Sequence, residues 1–295
     1  KNYIVWAEDA KNPIIYLCPT NVNEKINELF FGDRVKLRKN FHTIFTSATL
    51  TNLANEDLTK AYSYFIQNTM FPINDSILSE VKYSPFAYDK HAKLFYTDDI
   101  TSPSKDRGKF IDESIDLVKK ILDISQGKAL ILFTSKADMN AVYTRLKALN
   151  LNYTLIKQNE ISSQQQLIYK FKQDVNSVLL GTGVFWEGIS IEGIALSNLI
   201  IYKLPFPLPE PIINEKCKRS KNPLEEVLVP EMIIKLKQGV GRLIRNKTDK
   251  GIVSIIDSRL GDKSKASYKE KVWQALPIKQ RTNSLKELQS FYDNL

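Results

Sequence analysis

The feature that most constrains the fold is the alternation of short apolar runs with longer amphipathic stretches between residues 111 and 256. The strand-like runs are 129–133, 153–156, 178–180, 199–202 and 252–256. The stretches between them place apolar side chains at helical spacing, as in Met139, Val142 and Leu146. Short apolar strands separated by helices predict an α/β fold, with a parallel sheet covered by helices on both faces. Because ligands of such sheets bind at loops that leave the carboxyl ends of strands, we expect the chemistry there.

The first hundred residues have a less regular pattern. The sequence predicts a strand at 14–17, a helix that begins after Asn21 with Glu24 in an Asn version of the capping box, a β-rich run at 42–45 and a helix at 56–67. Residues 100–108, ITSPSKDRG, are polar and contain Pro and Gly, so they are the best candidate for a linker.

Composition limits the classes of function. The chain has 295 residues and a net charge of +9, which favours a polyanionic partner, although lysines spread over a solvated surface would give the same excess. Two cysteines and two histidines lack the spacing of a zinc or iron–sulfur site, and they fit a reducing cytoplasm. No run approaches the ~20 apolar residues of a membrane span. The absence of an initiator Met suggests a piece of a longer chain.

The most informative motif is QGVGRLIR at 238–245. A helix predicted from about residue 231 to 245 would place Gln238, Arg242 and Arg245 within about 60° of one another. Guanidinium groups suit phosphate better than lysine does. Gly239 and Gly241 would each weaken that helix by about 1 kcal/mol relative to Ala, which is understandable if a neighbour packs closely there. A basic solvent face on an amphipathic helix is the alternative.

Other polar groups follow the predicted strands. A glycine-rich loop, GTGVFWEGIS at 181–190, follows the strand at 178–180, so its backbone could approach a phosphate, with Thr182 as an added donor. Phe185 and Trp186 in this loop could stack on bases or belong to the core. Thr134 and Ser135 could bind a phosphate, although Ser135 alone is better explained as a helix cap. Asp257 and Arg259 are typical of a structural ion pair or a loop-positioning element.

The sequence also lacks the parts of a complete nucleotide site. No GxxxxGK[ST] motif is present, and no Asp-Glu pair follows an apolar strand to hold Mg²⁺. We therefore expect that the chain alone does not hydrolyse ATP. A stand-alone metabolic α/β enzyme is a poor alternative, since there is no candidate nucleophile, metal site or acid–base pair.

Taken in order, these segments resemble the carboxyl-terminal part of a superfamily 2 helicase of the DinG/XPD-like group. TSATL at 46–50 is similar to motif III, ILFTS at 131–135 to motif IV, the loop at 181–190 to motif V and QGVGRLIR to motif VI. SPFAY at 84–88, LPFP at 204–207 and IDSRL at 256–260 also match stretches typical of DinG proteins. The resemblance implies a RecA-like sheet, with residues 1–55 as the tail of a first motor domain, 56–104 as a connecting segment and 105–295 as the second motor domain.

The same resemblance implies roles for individual residues. Arg242 and Arg245 would be arginine fingers for ATP, and Gln238 would contact or sense its phosphates. The residues implied to couple the nucleotide site to DNA or to movement are Ser47, Thr49, Gly183, Glu187, Gly188 and Gly241. Those implied to lie near the DNA backbone are Thr134, Ser135 and Thr182. ATP and Mg²⁺ would be held mainly by an upstream first motor domain, and single-stranded DNA would be the partner.

A second function stays open at this stage. Position 190 is Ser where the family more often has Asp, and some DinG-type proteins resemble fusions of an exonuclease domain to a helicase-like portion. On that interpretation the chain is a helicase-derived domain that binds nucleic acid or nucleotide and regulates a fused 3'-5' exonuclease without unwinding DNA. DNA-stimulated ATP hydrolysis by the parent protein would distinguish the two.

Overall fold

The structure is a computed structural model that describes residues 3–8, 12–32, 43–47, 49–51, 57–81, 84–159, 162–187, 191 and 195–295. The chain divides into two compact units. The first comprises Lys1–Tyr83 and Phe206–Ile234, and the second comprises Ser84–Pro205 and Lys235–Leu295. In the part of the chain that the structure describes, no helix combines the length and the apolar character needed to cross a bilayer.

A parallel sheet forms the centre of the second unit, and seven of its strands lie within the described residues. They are β3 (Ala92–Tyr96), β4 (Ala129–Phe133), β5 (Leu155–Lys157), β6 (Val178–Thr182), β7 (Asn198–Ile201), β8 (Gly251–Ile255) and β9 (Arg281–Thr282). Their order across the sheet is β5-β6-β4-β7-β8-β3-β9, and every pairing is parallel. Every residue of β4, β6, β7 and β8 is buried, so both faces of these strands are covered. The predicted α/β class is confirmed, and strands apolar on both faces explain it.

Helices alternate with these strands. They are α4 (Tyr88–His91), α5 (Arg107–Ser125), α6 (Lys136–Ala148), α7 (Gln164–Gln173), α10 (Lys269–Ala275) and α11 (Leu285–Asp293), while α9 (Val229–Val240) enters the unit with its second half. Side chains cap several of them as sequence rules expect. Ser135 accepts a hydrogen bond from the Asp138 N–H at 3.1 Å, and Ser163 forms a capping box with Gln166. The predicted cap of α6 is confirmed.

The first unit has little core of its own among the described residues. Strands β1 (Tyr3–Glu8) and β2 (Ile14–Pro19) form an antiparallel hairpin, and the helices are α1 (Val22–Phe31), α2 (Leu58–Ala61), α3 (Ser63–Thr69) and α8 (Pro211–Arg219). Five phenylalanines form a cluster of ring contacts, namely Phe30, Phe31, Phe45, Phe65 and Phe71. One face of the hairpin is apolar and exposed: Tyr3, Val5, Ile15 and Leu17.

Four local predictions differ from the structure. Helix α9 ends at Val240 rather than near Arg245. Residues 43–45 of the expected β-rich run are not in a strand, and position 42 lies outside the described residues. The side chain of Asn21 donates to Glu24 at 2.8 Å instead of capping the backbone of α1. The polar stretch 100–108 comprises loop residues after β3 and the first two residues of α5, and all of it lies within the second unit, so it is not a linker between units.

The division into 1–55, 56–104 and 105–295 stays a prediction about motor domains. The compact units are drawn differently, because β3 lies in the stretch expected to connect the domains and pairs with β8 in the large sheet. Leu94 and Phe95 of that strand are buried.

Candidate functional site

The glycine-rich loop after β6 turns sharply at the carboxyl edge of the sheet. A side chain at Gly181 would meet the ring of Phe185 at 2.5 Å, so only glycine fits there. Gly183 has a φ of +50° and nothing within 4 Å of the place a side chain would occupy. The 3₁₀ turn Gly183–Phe185 follows, and the next exposed side chain is Glu187. The chain is thus tightly packed at Gly181 and open to solvent at Gly183.

The two aromatic residues of this loop belong to the core and do not face a ligand. Phe185 and Trp186 are both fully buried. The indole Nε1 of Trp186 donates to the carbonyl oxygen of Phe133 at 2.8 Å, which satisfies its polar atom. Of the two alternatives left open by the sequence, the core role is therefore the one observed.

Gly239 in the last turn of α9 admits that tryptophan. A methyl group at Gly239 would lie 2.7 Å from Cζ3 of Trp186, closer than carbon atoms approach. The prediction that a neighbour packs closely against this glycine is confirmed. Gly241 differs, since its nearest neighbour would be the Lys237 carbonyl oxygen at 3.3 Å.

Arg242 links the motif at 238–245 to the loop after β6. Its guanidinium is buried, and its Nε and Nη2 donate to the carbonyl oxygen of Trp186 at 3.0 and 2.8 Å. The pKa of Arg242 is lowered to about 10, first by burial and then by the like charge of Arg245, while Glu187 acts in the opposite direction. The side chain therefore stays protonated at neutral pH. It is a positive charge held in a fixed position beside the loop.

Arg245 lies beyond the helix, so the predicted single helical face for Gln238, Arg242 and Arg245 is wrong. The amide of Gly241 makes the last helical bond, to Lys237 at 2.9 Å. The amide of Arg245 donates to the carboxylate of Asp249 at 2.8 Å, which holds this residue in a loop. The charge of Arg245 nevertheless contributes to the lowered pKa of Arg242, after the effect of burial, so the two charges influence each other. Gln238, half-buried, is in the last turn of α9.

Tyr88 is a neighbour of Arg245 that sequence reasoning did not assign to the site. Burial raises the pKa of Tyr88, while its hydrogen bond with Ser84 and the charge of Arg245 act in the opposite direction. Its only sequence signal was its place in the SPFAY stretch.

Two of the three hydroxyl groups expected at the DNA backbone, those of Ser135 and Thr182, have hydrogen-bond partners within the protein. Thr182 donates its backbone N–H and its Oγ1 hydroxyl to Oε1 of Gln158, at 2.6 and 3.1 Å. Ser135 caps α6, and Thr134 is half-buried directly after β4. Gln158 was not among the predicted site residues, although it directly follows β5 and so stands at the same edge of the sheet.

A buried carboxylate holds two cations near the same edge. Asp138 is 2% exposed and accepts from Nε of Arg107 at 2.7 Å and from Nζ of Lys203 at 2.5 Å. Two cations on one buried carboxylate satisfy its charge and leave a net positive charge. This group was also missed, because the sequence pattern of Asp138 signalled only a helix cap.

The predicted pairing of Asp257 and Arg259 is confirmed. Asp257 is fully buried and accepts from Nε and Nη2 of Arg259 at 2.9 and 2.7 Å. The same carboxylate accepts from the N–H of Leu204 at 2.9 Å. Asp257 therefore has both of the expected roles, because it forms the ion pair with Arg259 and also positions the chain at Leu204.

The remaining predicted residues are dispersed. Ser47 and Thr49 belong to the first unit, where their hydroxyl oxygens lie 3.2 Å apart. Gly188 and Ser190 lie outside the described residues. Among the residues that are described, no three His, Cys, Asp or Glu side chains are grouped so as to hold a metal ion. A cleft of about 380 Å³, lined in part by Asn150 and Asn176, contains none of the predicted site residues.

The chain is similar to known helicases in sequence and in fold. The family model described as "Helicase C-terminal domain" matches residues 118–279. The chain is 31% identical to "ATP-dependent DNA helicase YoaA" of Haemophilus influenzae, over 99% of this chain and 43% of that protein. It is 32% identical to "3'-5' exonuclease DinG" of Bacillus subtilis, over 96% of this chain and 30% of that protein. A solved structure titled "XPD_Helicase" has a TM-score of 0.61 at 19% identity, over 93% of this chain and 47% of that one, and it shows a common fold. The chain thus spans less than half of the length of these relatives.

Proposed function

The chain belongs to the helicase C-terminal domain family, and from that premise we propose that it supplies the second motor domain of an ATP-dependent DNA helicase of the DinG type. The observation that carries the proposal is the buried Arg242, whose guanidinium is bonded to the loop after β6. Relatives with the printed names YoaA and DinG support it. The full-length protein that contains this chain is called the parent below.

In the proposed mechanism Arg242 and Arg245 are arginine fingers. They reach the γ-phosphate of ATP held by an upstream first motor domain, and Gln238 contacts the same phosphates. Burial and then the like charge of Arg245 lower the pKa of Arg242, so a polyanion bound beside the two guanidinium groups would stabilise their charged forms. Stabilising transition-state charge in this way accelerates phosphoryl transfer by about 10³–10⁵-fold in related enzymes.

The phosphate-binding loop and the Mg²⁺ ligands belong to the upstream domain in this proposal. The chain's own contribution is to place positive charge, because its sequence has no Walker motif. We therefore expect that the chain, isolated from its parent, does not hydrolyse ATP.

Coupling to DNA follows from the loop geometry. Arg242 is bonded to the carbonyl of Trp186, the residue before Glu187, so a shift of the loop after β6 moves the guanidinium. Gly183, Glu187 and Gly241 take part in this coupling, as does Gly188, which lies outside the described residues. The proposed role of Ser47 and Thr49 is to link ATP hydrolysis to movement. Single-stranded DNA lies along the carboxyl edge of the sheet, near Thr134, Ser135 and Thr182. Contacts to its phosphates would position the strand without reading its sequence.

The test is ATP turnover by the parent with and without single-stranded DNA, for the wild type and for the Arg242→Ala/Arg245→Ala double variant. We expect DNA to raise wild-type turnover and the double variant to lose about 10³-fold or more. Arg145→Ala is the matched control, since Arg145 forms a surface pair with Asp112 on helices α5 and α6. Near-normal turnover in the double variant would show that the arginines are not fingers.

Two observations favour a second function. The Bacillus subtilis relative carries the name of a 3'-5' exonuclease, and position 190 is Ser. A helicase-derived domain that binds DNA or nucleotide and regulates a fused nuclease fits both. A parent that binds single-stranded DNA but shows no ATP turnover, with or without it, supports this second function over the first.

A further inference from the structure

We propose that the side-chain amide of Gln158 is the donor that binds a phosphate oxygen of single-stranded DNA at the carboxyl ends of β5 and β6. The proposal rests on the proposed function, because it names the group that contacts the strand. It also reassigns a role, since the family resemblance pointed to Thr182 for this contact.

The orientation of the Gln158 amide follows from Thr182. The backbone N–H of Thr182 can only donate, and the Gln158 side-chain atom 2.6 Å away must therefore be an acceptor. That atom is Oε1. The Thr182 hydroxyl lies 3.1 Å from the same oxygen and donates its hydrogen there. Two donors on one oxygen leave no freedom to exchange the amide oxygen and nitrogen.

These hydrogen bonds determine which side chain can donate a hydrogen bond to an anion. A hydroxyl has one hydrogen, and that of Thr182 is already donated, so Thr182 has only acceptor capacity left. Thr182 is also buried. A phosphodiester presents only acceptor oxygens, so Thr182 and a phosphate are mismatched.

The nitrogen of Gln158 has the complementary capacity. Its Nε2 carries two N–H groups, and none of the residues that the structure describes accepts a hydrogen bond from it. The side chain is half-buried, and Nε2 is not one of the fully enclosed polar atoms, so it reaches solvent. Thr182 thus acts as the positioning residue, and Gln158 presents the donor.

The surroundings of this donor are open and positive. Directly after the neighbouring strand β6, Gly183 leaves empty space where a side chain would stand, which lets a strand of nucleic acid approach. Lys157, directly before Gln158, donates from Nζ to Asn140 at 2.9 Å and lies over the ring of Tyr143. The ammonium group of Lys157 is therefore held in a fixed position by these two contacts.

The experiment compares single-stranded DNA binding by the parent, measured by fluorescence anisotropy without nucleotide. Gln158→Glu keeps an acceptor for both Thr182 donors and replaces the amide nitrogen by a charged oxygen. We expect its Kd to rise about tenfold or more, because hydrogen bonds to charged groups are among the stronger ones. The rise should be equal for oligo-dT and oligo-dA, since backbone contacts carry no sequence information. Gln173→Glu, the same change at the exposed end of α7, should leave the Kd within about twofold.

Thr182→Val separates the two possible contacts and does not depend on whether the glutamate variant folds. It removes the hydroxyl and keeps the N–H bond to Gln158, so we expect a smaller rise in Kd than for Gln158→Glu. The KM for ATP of Gln158→Glu should stay near that of the wild type, which excludes a nucleotide phosphate as the ligand.

The possible failures are distinct. A wild-type parent that does not bind single-stranded DNA overturns the proposed function and this inference together. Normal wild-type binding with an unchanged Kd for Gln158→Glu overturns the inference alone, and so does a larger loss in Thr182→Val. A change in the KM for ATP without a change in DNA affinity overturns it as well, because the ligand is then the nucleotide.

Discussion

Arg242 is held in place by the main-chain carbonyl group of Trp186. Its two bonds to the Trp186 carbonyl oxygen satisfy part of the guanidinium without cancelling its charge. Arg259 also has a carboxylate as a partner, since its Nη2 lies 2.7 Å from the carboxylate of Asp257. In Arg259 the carboxylate outweighs the effect of burial and raises the pKa, whereas Arg242 has its pKa lowered. The surroundings thus favour the charged form of Arg259 and disfavour that of Arg242.

At the same scale, Gly239→Ala should destabilise the protein. The added methyl group would lie 2.7 Å from the ring of Trp186, which is fully buried and bonded through its indole nitrogen. Overpacking of this kind costs about 1–3 kcal/mol, which exceeds the helix propensity gained by alanine. We expect a net loss of about 1 kcal/mol in the free energy of unfolding, measured by urea denaturation at an unchanged slope.

Gly241→Ala is the control for that substitution. Its methyl group would be 3.3 Å from a carbonyl oxygen, and its backbone does not need a positive φ, so the change should stay within about 0.5 kcal/mol. Equal effects of the two substitutions would contradict the packing argument.

At the scale of elements, the sequence predicts the buried strands well because each is a continuous apolar run. Strands such as Ala129–Phe133 are observed with the expected bounds. Helix ends are harder to predict, and α9 shows why. The residues after Val240 remain apolar at helical spacing, yet the carboxylate of Asp249 captures the amide of Arg245 and ends the pattern.

The candidate site was predictable in its motifs and not in its contacts. Motif residues such as Arg242 and Thr182 were identified, since their types and spacing are distinctive. Their partners are a main-chain carbonyl and a glutamine on another strand end, and neither has a local sequence signal. The core position of Trp186 also depends on a glycine more than 50 residues away, which only the fold brings near.

Ser135 lets the cap of α6 be separated from DNA binding. Ser135→Asp keeps a side-chain acceptor at the cap position, where Asp and Ser are about equally favourable, but adds a negative charge. We expect unchanged thermal stability and single-stranded DNA binding by the parent that is about tenfold weaker, if this edge faces the strand as proposed. Ser135→Ala should instead lower stability by about 1 kcal/mol through loss of the cap.

Ser163→Ala is the matched control, because Ser163 caps α7 in the same manner and should show only the loss of stability. If Ser135→Asp binds DNA with wild-type affinity, then Ser135 acts only as a helix cap and does not face the DNA strand.

At the scale of the whole molecule, the two units differ in how much they bury. The second unit has a sheet whose central strands are completely buried, whereas the hairpin of the first unit exposes one apolar face. Tyr3, Val5, Ile15 and Leu17 are between 48% and 75% exposed. Stability is therefore unevenly distributed along the chain.

Hydrogen exchange followed by mass spectrometry of the chain should show this difference. We expect amides of β1 and β2 to exchange about 100-fold faster than those of β4 and β6, since few buried contacts oppose local opening of the hairpin. In the parent, where a first motor domain is proposed to precede these residues, the hairpin should become protected. Equal protection of hairpin and sheet in the chain itself would contradict this account.

Because the acceptor for Arg242 is a main-chain oxygen, mutation cannot delete it. Codons specify side chains, and every amino acid that could replace Trp186 brings the same carbonyl. Substitutions at these positions can therefore alter the contact through side-chain size. A larger residue at Gly239, or a smaller one at Trp186, would let the main chain shift. The position of the Arg242 guanidinium therefore does not depend on the chemical type of the side chain at position 186. It does depend on the size of the side chains at positions 186 and 239.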